Sequence, residues 1–333
     1  MSAPVLVVRD LTTVLNLEDG PVEVVRGVNV DVAGGETVGL VGESGCGKTM
    51  AMLSVMGLHP QPPAEIVAGE VLVGGRDLRK LGEEERRMVR GAEVAMVYPD
   101  PMTSLNPLMR IGDQIGEVLL AHGKSQAEAK RRTIEVLGQV GIPQPARAAE
   151  SYPHEYSGGM RQRAMIAMAL ALHPKVLIAD EPTTALDVTI QQQIITLVSN
   201  LQQDLGMAVI WVTHDLGVVA RVAERILVMY GGHIVETGPT DQVFKRPEHP
   251  YTAGLLEAIP KVRGAERAPL RQIPGSPPDP TRQPSGCPFH PRCPNVRERC
   301  RVEMPPLTVR QVAEERDPGR QAACWVPPAE WVA

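Results

Sequence analysis

Residues 42–49, with the sequence GESGCGKT, constrain the fold of this chain more than any other stretch. They follow the apolar run 38–41 and precede the apolar run 50–53, so we predict a strand, a glycine-rich loop and a helix in that order. In this context the pattern G-x-x-x-x-G-K-[ST] is typical of a loop whose backbone N–H groups and helix N-terminus surround a polyphosphate. The alternative is a chance glycine-rich turn, and eight matching positions argue against it.

The residues of this phosphate loop have different predicted roles. We expect Lys48 to reach the β- and γ-phosphates of a nucleoside triphosphate, and the Thr49 hydroxyl to bind Mg²⁺. The remaining residues are expected to surround the phosphates: Gly42, Glu43, Ser44, Gly45, Cys46 and Gly47. If the Cys46 thiol is reachable, alkylation should block nucleotide binding and bound nucleotide should protect it.

Length and composition exclude several classes of protein. The 333 residues exceed the ~250–300 at which one core usually stops growing, which favours a large domain with an appendage. The net charge of −5 and the lack of a basic block argue against nucleic acid as a partner. The longest apolar run, near residues 165–172, is far shorter than the ~18–20 residues of a membrane-spanning helix. Because the N-terminal segment also lacks signal-peptide features, we expect a cytosolic location.

Strand and helix patterns alternate along most of the chain. Two β-rich runs separated by a turn at residues 18–20 predict an antiparallel flap, which residues 69–75 continue. Residues 101–172 have a helical pattern, including a capping box that begins at Ser125. Short apolar strands then end at Asp180 and just before His214. We therefore predict an α/β fold with a mainly parallel sheet and its ligand site at the carboxyl ends of the strands.

Two polar groups follow predicted strands downstream of the phosphate loop. Asp180 lies where a second carboxylate that organises Mg²⁺ is expected, and Glu181 beside it is predicted to polarise the attacking water. The alternative is an Asp-Glu pair that only caps the next helix. His214 is predicted to hydrogen-bond the γ-phosphate, although a lone histidine is more often structural.

A second anion-binding pattern lies at Ser157, Gly158 and Gly159, where a hydroxyl and two small residues precede a predicted buried helix. The chain already has one loop for a γ-phosphate. This second element is therefore predicted to bind a nucleotide that another subunit holds. The alternative is an ordinary N-cap with a tight turn.

Taken together, these motifs resemble the set found in ABC-type ATPases, in that family's order and approximate spacing. The matching stretches are residues 42–49, 156–160, 176–181 and 185–187, and His214. The chain further resembles the oligopeptide/dipeptide importer branch at residues 100–107, 152–154, 157–169 and 180–190, and in its cysteine-bearing tail. The resemblance implies a P-loop ABC-type nucleotide-binding domain with an antiparallel β flap and a helical subdomain at about 101–172.

The resemblance also implies partners. Two such subunits would pair head to tail, so that each ATP lies between one phosphate loop and the other subunit's Ser-Gly-Gly segment. We expect the second ATPase subunit to be non-identical. Residues 101–150 would contact two transmembrane permease subunits, which receive substrate from an extracytoplasmic binding protein. The expected location is thus peripheral, at the cytoplasmic face of the membrane.

Two positions depart from the family pattern. Pro99 stands where the family has a glutamine that helps coordinate Mg²⁺ and water, and proline offers neither a side-chain oxygen nor an N–H. That ligand is absent unless Asp100 or water replaces it, so we expect Pro99→Gln to raise ATPase activity. Residues 14–17 lack the aromatic residue that often stacks on adenine, which predicts aliphatic contact with the base.

The amino-acid composition changes at about residue 260, where the apolar periodicity ends. We therefore predict a boundary between an ATPase domain (1–260) and a Pro- and Cys-rich extension (261–333). Four of the five cysteines lie there: Cys287, Cys293, Cys300 and Cys324. Four thiolates suit either Zn²⁺ or a [4Fe–4S] cluster. The wide spacing and the resembling importers favour iron–sulfur, with His290 as a substitute ligand. Unconnected thiols are the alternative.

The leading interpretation is the ATP-hydrolysing subunit of a peptide importer. One alternative is a soluble ABC ATPase that acts on nucleic acid. Another is a regulatory cassette with weak hydrolysis, which Pro99 favours and which Glu181 and His214 disfavour. The sequence does not distinguish dipeptides, longer peptides, nickel chelates and glutathione as the cargo.

Overall fold

The computed structural model describes residues 3–184, 186–259, 272–312 and 315–331. The strands of this part of the chain are β1 Pro4–Leu17, β2 Gly20–Ala33, β3 Thr37–Val41, β4 Ala64–Val73, β5 Arg76–Asp77, β6 Val94–Val97, β7 Val176–Asp180, β8 Ala208–Thr213, β9 Arg225–Tyr230, β10 His233–Pro239, β11 Thr308–Val312 and β12 Glu315–Ala322.

The α-helices of the same residues are α1 Lys48–Met56, α2 Glu83–Val89, α3 Pro101–Ser104, α4 Ile111–Ala121, α5 Gln126–Gln139, α6 Pro145–Ala148, α7 Gly158–Leu170, α8 Val188–Leu205, α9 Leu216–Val222, α10 Thr240–Lys245, α11 Pro250–Glu257 and α12 Glu298–Val302. Within the described ranges, none of these helices combines the length and the apolar content needed to cross a membrane.

The chain forms two compact units. The helical unit comprises residues 1–6, 31–36 and 72–211. The phosphate-loop unit comprises residues 7–30, 37–71 and 212–333. Each unit is assembled from segments that are distant in the sequence, so neither corresponds to one continuous stretch of the chain.

In the phosphate-loop unit, strands follow the order β11–β12–β10–β9–β3. Strand β3 pairs in parallel with β9, whereas β10 pairs antiparallel with both β9 and β12. The β9–β10 turn consists of Gly231 and Gly232, whose φ values of 54° and 85° suit a two-residue hairpin. A hairpin reverses the chain direction, so this sheet is mixed and the prediction of a mainly parallel sheet holds only in part.

The core of this unit includes three aromatic rings from distant parts of the chain. Tyr230, Tyr251 and Phe289 are all at most 1% exposed. The ring centroids of Tyr230 and Tyr251 lie 4.4 Å apart, and those of Tyr230 and Phe289 lie 5.2 Å apart with the rings edge to face. Burial of each such side chain contributes about 1.5–3 kcal/mol, so the tail residue Phe289 is firmly anchored in the core.

In the helical unit, β6 and β7 pair in parallel, with Val94 opposite Val176. The predicted capping box of α5 is confirmed, because the Ser125 hydroxyl accepts from the Glu128 N–H and the Glu128 carboxylate accepts from the Ser125 N–H. Arg132 of α5 is buried and donates to the carbonyl oxygens of Leu170 and Ala171. These bonds satisfy carbonyls at the end of α7 and join the two helices.

The elements predicted around the phosphate loop are confirmed. Strands β1 and β2 are neighbours joined by a turn at residues 18–19, as the antiparallel flap requires, and β4 lies beside β1. The β9–β10 hairpin was not predicted. The domain boundary predicted at about residue 260 falls on residues outside the described ranges, so the division into 1–260 and 261–333 stays a prediction.

Candidate functional site

The phosphate loop joins β3 to α1, as predicted, and its glycines are required by close packing. A Cβ atom on Gly42 would lie 2.2 Å from the Met229 carbonyl oxygen. A Cβ atom on Gly47 would lie 2.6 Å from the Val24 carbonyl oxygen, and Gly47 has a φ of 106°. Because side chains at these two positions would collide with backbone, only glycine allows the loop to take this path.

Lys48 lies at the start of α1 and is 5% exposed. Its ammonium group donates to the carbonyl oxygens of Gly42, at 2.8 Å, and Glu43, at 3.0 Å. Ser44, Gly45 and Thr49 are exposed. The lysine is thus held across the loop. Ser44 and Gly45, two of the residues predicted to surround the phosphates, and Thr49, the predicted Mg²⁺ ligand, are open to a ligand.

Cys46 is buried in the same loop, and its backbone carbonyl accepts from the Gly232 N–H at 3.0 Å. Burial raises the pKa of the Cys46 thiol, although the nearby Lys48 ammonium opposes this effect. A neutral buried thiol reacts slowly with alkylating agents, because the thiolate is the nucleophile. Protection of Cys46 by nucleotide therefore stays a prediction, to be measured over long reaction times.

Glu43 makes two contacts that the sequence pattern did not predict. Its backbone N–H donates to the Tyr251 hydroxyl at 2.8 Å. Its carboxylate accepts two hydrogen bonds from the Arg292 guanidinium, at 2.6 and 3.0 Å. Tyr251 and Arg292 lie 208 and 249 residues further along the chain, so no local spacing could have identified them.

His214 follows β8 in the phosphate-loop unit, and its side chain is exposed. The next residue, Asp215, caps α9 by accepting from the N–H groups of Gly217 and Val218. The Asp215 N–H donates to the Thr213 hydroxyl at 3.0 Å. These bonds fix the backbone on both sides of His214, so the imidazole is presented from a rigid turn.

The helical unit contains the Ser-Gly-Gly segment at the N-terminus of α7. Ser157 is the N-cap residue, and its hydroxyl accepts from the Met160 N–H at 3.3 Å. Ser157 and Gly158 are exposed, whereas a Cβ atom on Gly159 would lie 2.8 Å from Ile190. The segment is thus an N-cap, as the simpler interpretation states, and also an exposed helix N-terminus able to bind an anion.

Asp180 and Glu181 lie at the carboxyl end of β7 in the same unit. Asp180 ends the strand and is fully buried. Glu181 has a φ of 43°, a left-handed conformation that costs a residue with a side chain about 1–2 kcal/mol. Its carboxylate accepts from the Thr184 hydroxyl at 2.8 Å. The motif continues through Ala185, which lies outside the described residues.

The residues predicted to bind Mg²⁺ offer suitable donor atoms. Thr49 supplies a hydroxyl and Asp180 a carboxylate, and proteins bind this ion through one or two such groups together with substrate phosphates. Asp100, considered as a substitute for the missing glutamine, uses its carboxylate to cap α3 by accepting from the Met102 N–H at 2.8 Å. Asp100 therefore has a local capping role, and its replacement of the missing glutamine stays a prediction.

The prediction of an iron–sulfur cluster in the tail is wrong, and so is the zinc alternative. No group of three or more His, Cys, Asp and Glu residues in the described ranges is arranged to hold a metal ion. Cys287, Cys293, Cys300 and Cys324 line a cavity of only about 10 Å³, no more than the space that one water molecule needs.

Two of these thiols are held in the neutral form in this structure. Burial raises the pKa of Cys287 to about 12 and that of Cys293 to about 11. Cys287, Cys300 and Phe289 instead belong to the hydrophobic core of the phosphate-loop unit. The described tail is thus stabilised by apolar burial, which removes the reason to expect a metal.

Comparisons with known proteins give consistent matches. Residues 25–184 match the model of the family described as ABC transporter, and residues 235–300 match that of the oligopeptide/dipeptide transporter C-terminal region. The chain is 52% identical to the oligopeptide transport ATP-binding protein OppD of Bacillus subtilis, over 85% of this chain and 80% of the relative. It is 48% identical to the dipeptide transport ATP-binding protein DppD of the same organism, over 92% of this chain and 91% of the relative.

A solved structure is similar to this chain in its three-dimensional fold. It is a dimeric, post-hydrolysis state of the ATP-binding cassette MJ0796 bound to ADP and Pi. The TM-score is 0.63 at 26% identity, and the match covers 71% of this chain and 98% of the other.

Proposed function

Because the chain belongs to the ABC transporter family of ATP-binding proteins, we propose that it is the ATP-hydrolysing subunit of a peptide importer. This proposal rests mainly on sequence similarity. The chain is 52% and 48% identical to two peptide-transport ATP-binding proteins over most of its length. The match to the oligopeptide/dipeptide C-terminal family adds to it, since that family is narrower than ABC transporters in general.

The proposed reaction is hydrolysis of ATP to ADP and phosphate. The phosphate loop binds the phosphates through its backbone N–H groups and Lys48, whose ammonium group lies within the loop. Thr49 and Asp180 are the proposed ligands of Mg²⁺, which would supply positive charge beside the phosphates. Glu181 orients and polarises the attacking water, and His214 bonds the γ-phosphate.

We also propose that the working unit contains a second ATPase subunit. The exposed hydroxyl of Ser157 and the exposed backbone of Gly158 are able to contact a phosphate on a neighbouring molecule. The related cassette MJ0796 forms a dimer bound to ADP and Pi, which supports this arrangement. We infer that the second subunit is non-identical.

The remaining partners are proposed on the same basis. They are two transmembrane permease subunits, contacted by residues 101–150, and an extracytoplasmic substrate-binding protein. Our proposed location is the cytoplasmic face of the membrane. The proposed domains are an ATPase domain at 1–260, with its helical subdomain at 101–172, and an extension at 261–333. Among the residues of this extension that the structure describes, no group is arranged to hold a metal.

The test is phosphate release by the chain co-purified with its membrane subunits. Lys48→Ala should abolish ATP-dependent peptide uptake and reduce phosphate release to background, because the loop then lacks its cation. Lys245→Ala is the matched control, since Lys245 is 75% exposed and pairs with Asp241 of the same helix. Phosphate release that does not depend on Lys48, or that requires nucleic acid instead of membrane subunits, would contradict the proposal.

A further inference from the structure

Arg292 is a buried tail residue that contacts the phosphate loop. Its side chain is 5% exposed. The guanidinium donates to both carboxylate oxygens of Glu43, with Nη1–Oε2 at 2.6 Å and Nη2–Oε1 at 3.0 Å. This bidentate geometry fixes the direction as well as the distance of the carboxylate.

The other donors of Arg292 are also used. Nη1 donates to the Tyr230 hydroxyl at 3.2 Å. Nε donates to the Pro274 carbonyl oxygen at 2.9 Å, and Nη2 to that of Ile273 at 3.4 Å. A guanidinium has five N–H groups, and these contacts together supply five acceptors. The Arg292 side chain is therefore held in one orientation, which a lysine could not reproduce.

The phosphate loop is held at the same residue from a second direction. The Tyr251 hydroxyl accepts from the Glu43 backbone N–H at 2.8 Å, and Tyr251 is fully buried. The rings of Tyr251 and Tyr230 both pack on Phe289, which precedes Arg292 by three residues. One aromatic cluster thus positions both the hydroxyl and the guanidinium that contact Glu43.

Charge makes this contact relevant to ligand binding. Glu43 is the second residue of a loop that binds a polyanion, and its carboxylate would repel the phosphates. Arg292 balances that charge and keeps the carboxylate directed toward the tail. Without Arg292, the loop would present an uncompensated negative charge and a less ordered backbone to the nucleotide.

We propose that Arg292 is a positioning residue for nucleotide binding, through which the C-terminal tail sets the affinity of the phosphate loop for ATP. This inference rests on the proposed function, since it requires that the loop binds ATP. Arg292 acts through Glu43 and does not itself contact the phosphates.

The experiment measures binding of Mg²⁺ and the fluorescent analogue mant-ATP to the purified full-length chain. Arg292→Gln should raise the Kd at least tenfold, consistent with the loss of one buried charge pair. Arg297→Gln is the matched control, because Arg297 is another tail arginine whose pairing partner, Glu330 at 2.6 Å, is far along the chain from the loop. This control should leave the Kd unchanged.

A double variant separates positioning from general stability. Arg292→Gln combined with Glu43→Gln removes the unbalanced carboxylate as well, so it should recover most of the affinity that the single variant loses. In the membrane-assembled complex, Arg292→Gln should raise KM for ATP more than it lowers kcat. A purely structural role would predict a double variant at least as weak as Arg292→Gln, and that result would overturn the inference.

A milder variant covers the case in which Arg292→Gln does not fold. Arg292→Lys keeps a positive charge at this position but cannot make the bidentate contact with Glu43. It should raise the Kd severalfold, and an unchanged Kd would overturn the inference. If the unmodified chain fails to bind mant-ATP, the proposed function is wrong; if it binds normally and all variants match it, only the role of Arg292 is wrong.

Discussion

The phosphate loop and the Ser-Gly-Gly segment both present a helix N-terminus with small residues, yet they are held in different ways. Glu43 of the phosphate loop contacts Tyr251 and Arg292, more than 200 residues away in the chain. Ser157 of the Ser-Gly-Gly segment makes a local hydrogen bond to Met160 and is exposed. The first element is organised by long-range contacts within its own unit, whereas the second presents an open surface.

This difference indicates a division of labour between the two units. A loop whose lysine is buried and whose backbone has fixed contacts is suited to bind a ligand before any partner arrives. An exposed helix N-terminus binds an anion weakly on its own, because water competes for its N–H groups. We therefore expect nucleotide affinity to depend on the phosphate-loop unit and hydrolysis to depend on the helical unit together with a partner.

Glu181→Gln in the helical unit tests this division of labour most directly. We expect phosphate release by the assembled complex to fall by about 10²–10⁴, the usual range for losing a general base. Binding of mant-ATP to the isolated chain should not change, because the phosphate loop belongs to the other unit. Asp204→Asn, an exposed change in the same unit, should affect neither measurement. Loss of binding in Glu181→Gln would contradict the division.

A charge at Ser157 tests whether this residue meets a phosphate. Asp and Asn are both good N-cap residues, so Ser157→Asp and Ser157→Asn should both preserve α7. Only Asp adds a negative charge, and we expect it to lower phosphate release at least ~10-fold below Asn in the complex. Equal activities of the two variants would mean that no anion approaches Ser157.

Pro99 allows a smaller test of the helical unit. Pro99→Gln adds the side-chain amide that resembling ATPases have at this position, so ATPase activity of the complex should rise severalfold. Pro99→Ala is the control, because it restores the backbone N–H without adding an oxygen. A rise in both variants would assign the effect to the backbone, and an unchanged rate in Pro99→Gln would contradict the hypothesis.

The last prediction concerns the pH dependence of the stability of the phosphate-loop unit. Burial raises the pKa of Glu236 from an ordinary 4.5 to about 7, opposed by hydrogen bonds from Thr252 and the backbone of Glu248 and His249 and by Arg320. The native state then holds a proton that the unfolded state has lost. The contribution of this proton to the free energy of unfolding is therefore fully present below about pH 4.5. It decreases as the pH rises and is lost at about pH 7.

The measurement is the urea midpoint of unfolding between pH 5 and 8. We expect the unmodified chain to lose about 2 kcal/mol over this range through Glu236, since one pKa unit corresponds to about 1.4 kcal/mol. Glu236→Gln should flatten the dependence. Glu298→Gln, at a residue that is 96% exposed, should leave it as it is. A steep dependence in Glu236→Gln would assign the effect to other groups.

Local sequence patterns predicted much of the fold around the candidate site, whereas the roles of the site residues stay predictions. The phosphate loop, the flap and the capping box of α5 were predictable because each depends on residues close together in the chain. The β9–β10 hairpin has a Gly-Gly turn signal that could have identified it. The positive φ of Glu181 has no local signal, because glutamate rarely takes that conformation by preference.

The tail could not be predicted in the same way. Its cysteine spacing suggested a metal, but the structure places Cys287 and Cys300 in a hydrophobic core. Their burial, and the pairing of Arg292 with Glu43, depend on tertiary contacts that span most of the sequence. The spacing of the cysteines along the chain carries no information about such contacts. The cysteine pattern therefore led to the wrong prediction of a metal site in the tail.

The separation of 249 residues between Glu43 and Arg292 has a consequence for biosynthesis. At ordinary translation rates, the ribosome adds Arg292 about 10–50 s after Glu43. A growing chain therefore makes its phosphate loop long before the arginine that balances the loop's carboxylate. Until translation reaches the tail, we expect the nascent protein to bind ATP weakly. High-affinity binding of nucleotide is then delayed until synthesis is nearly complete.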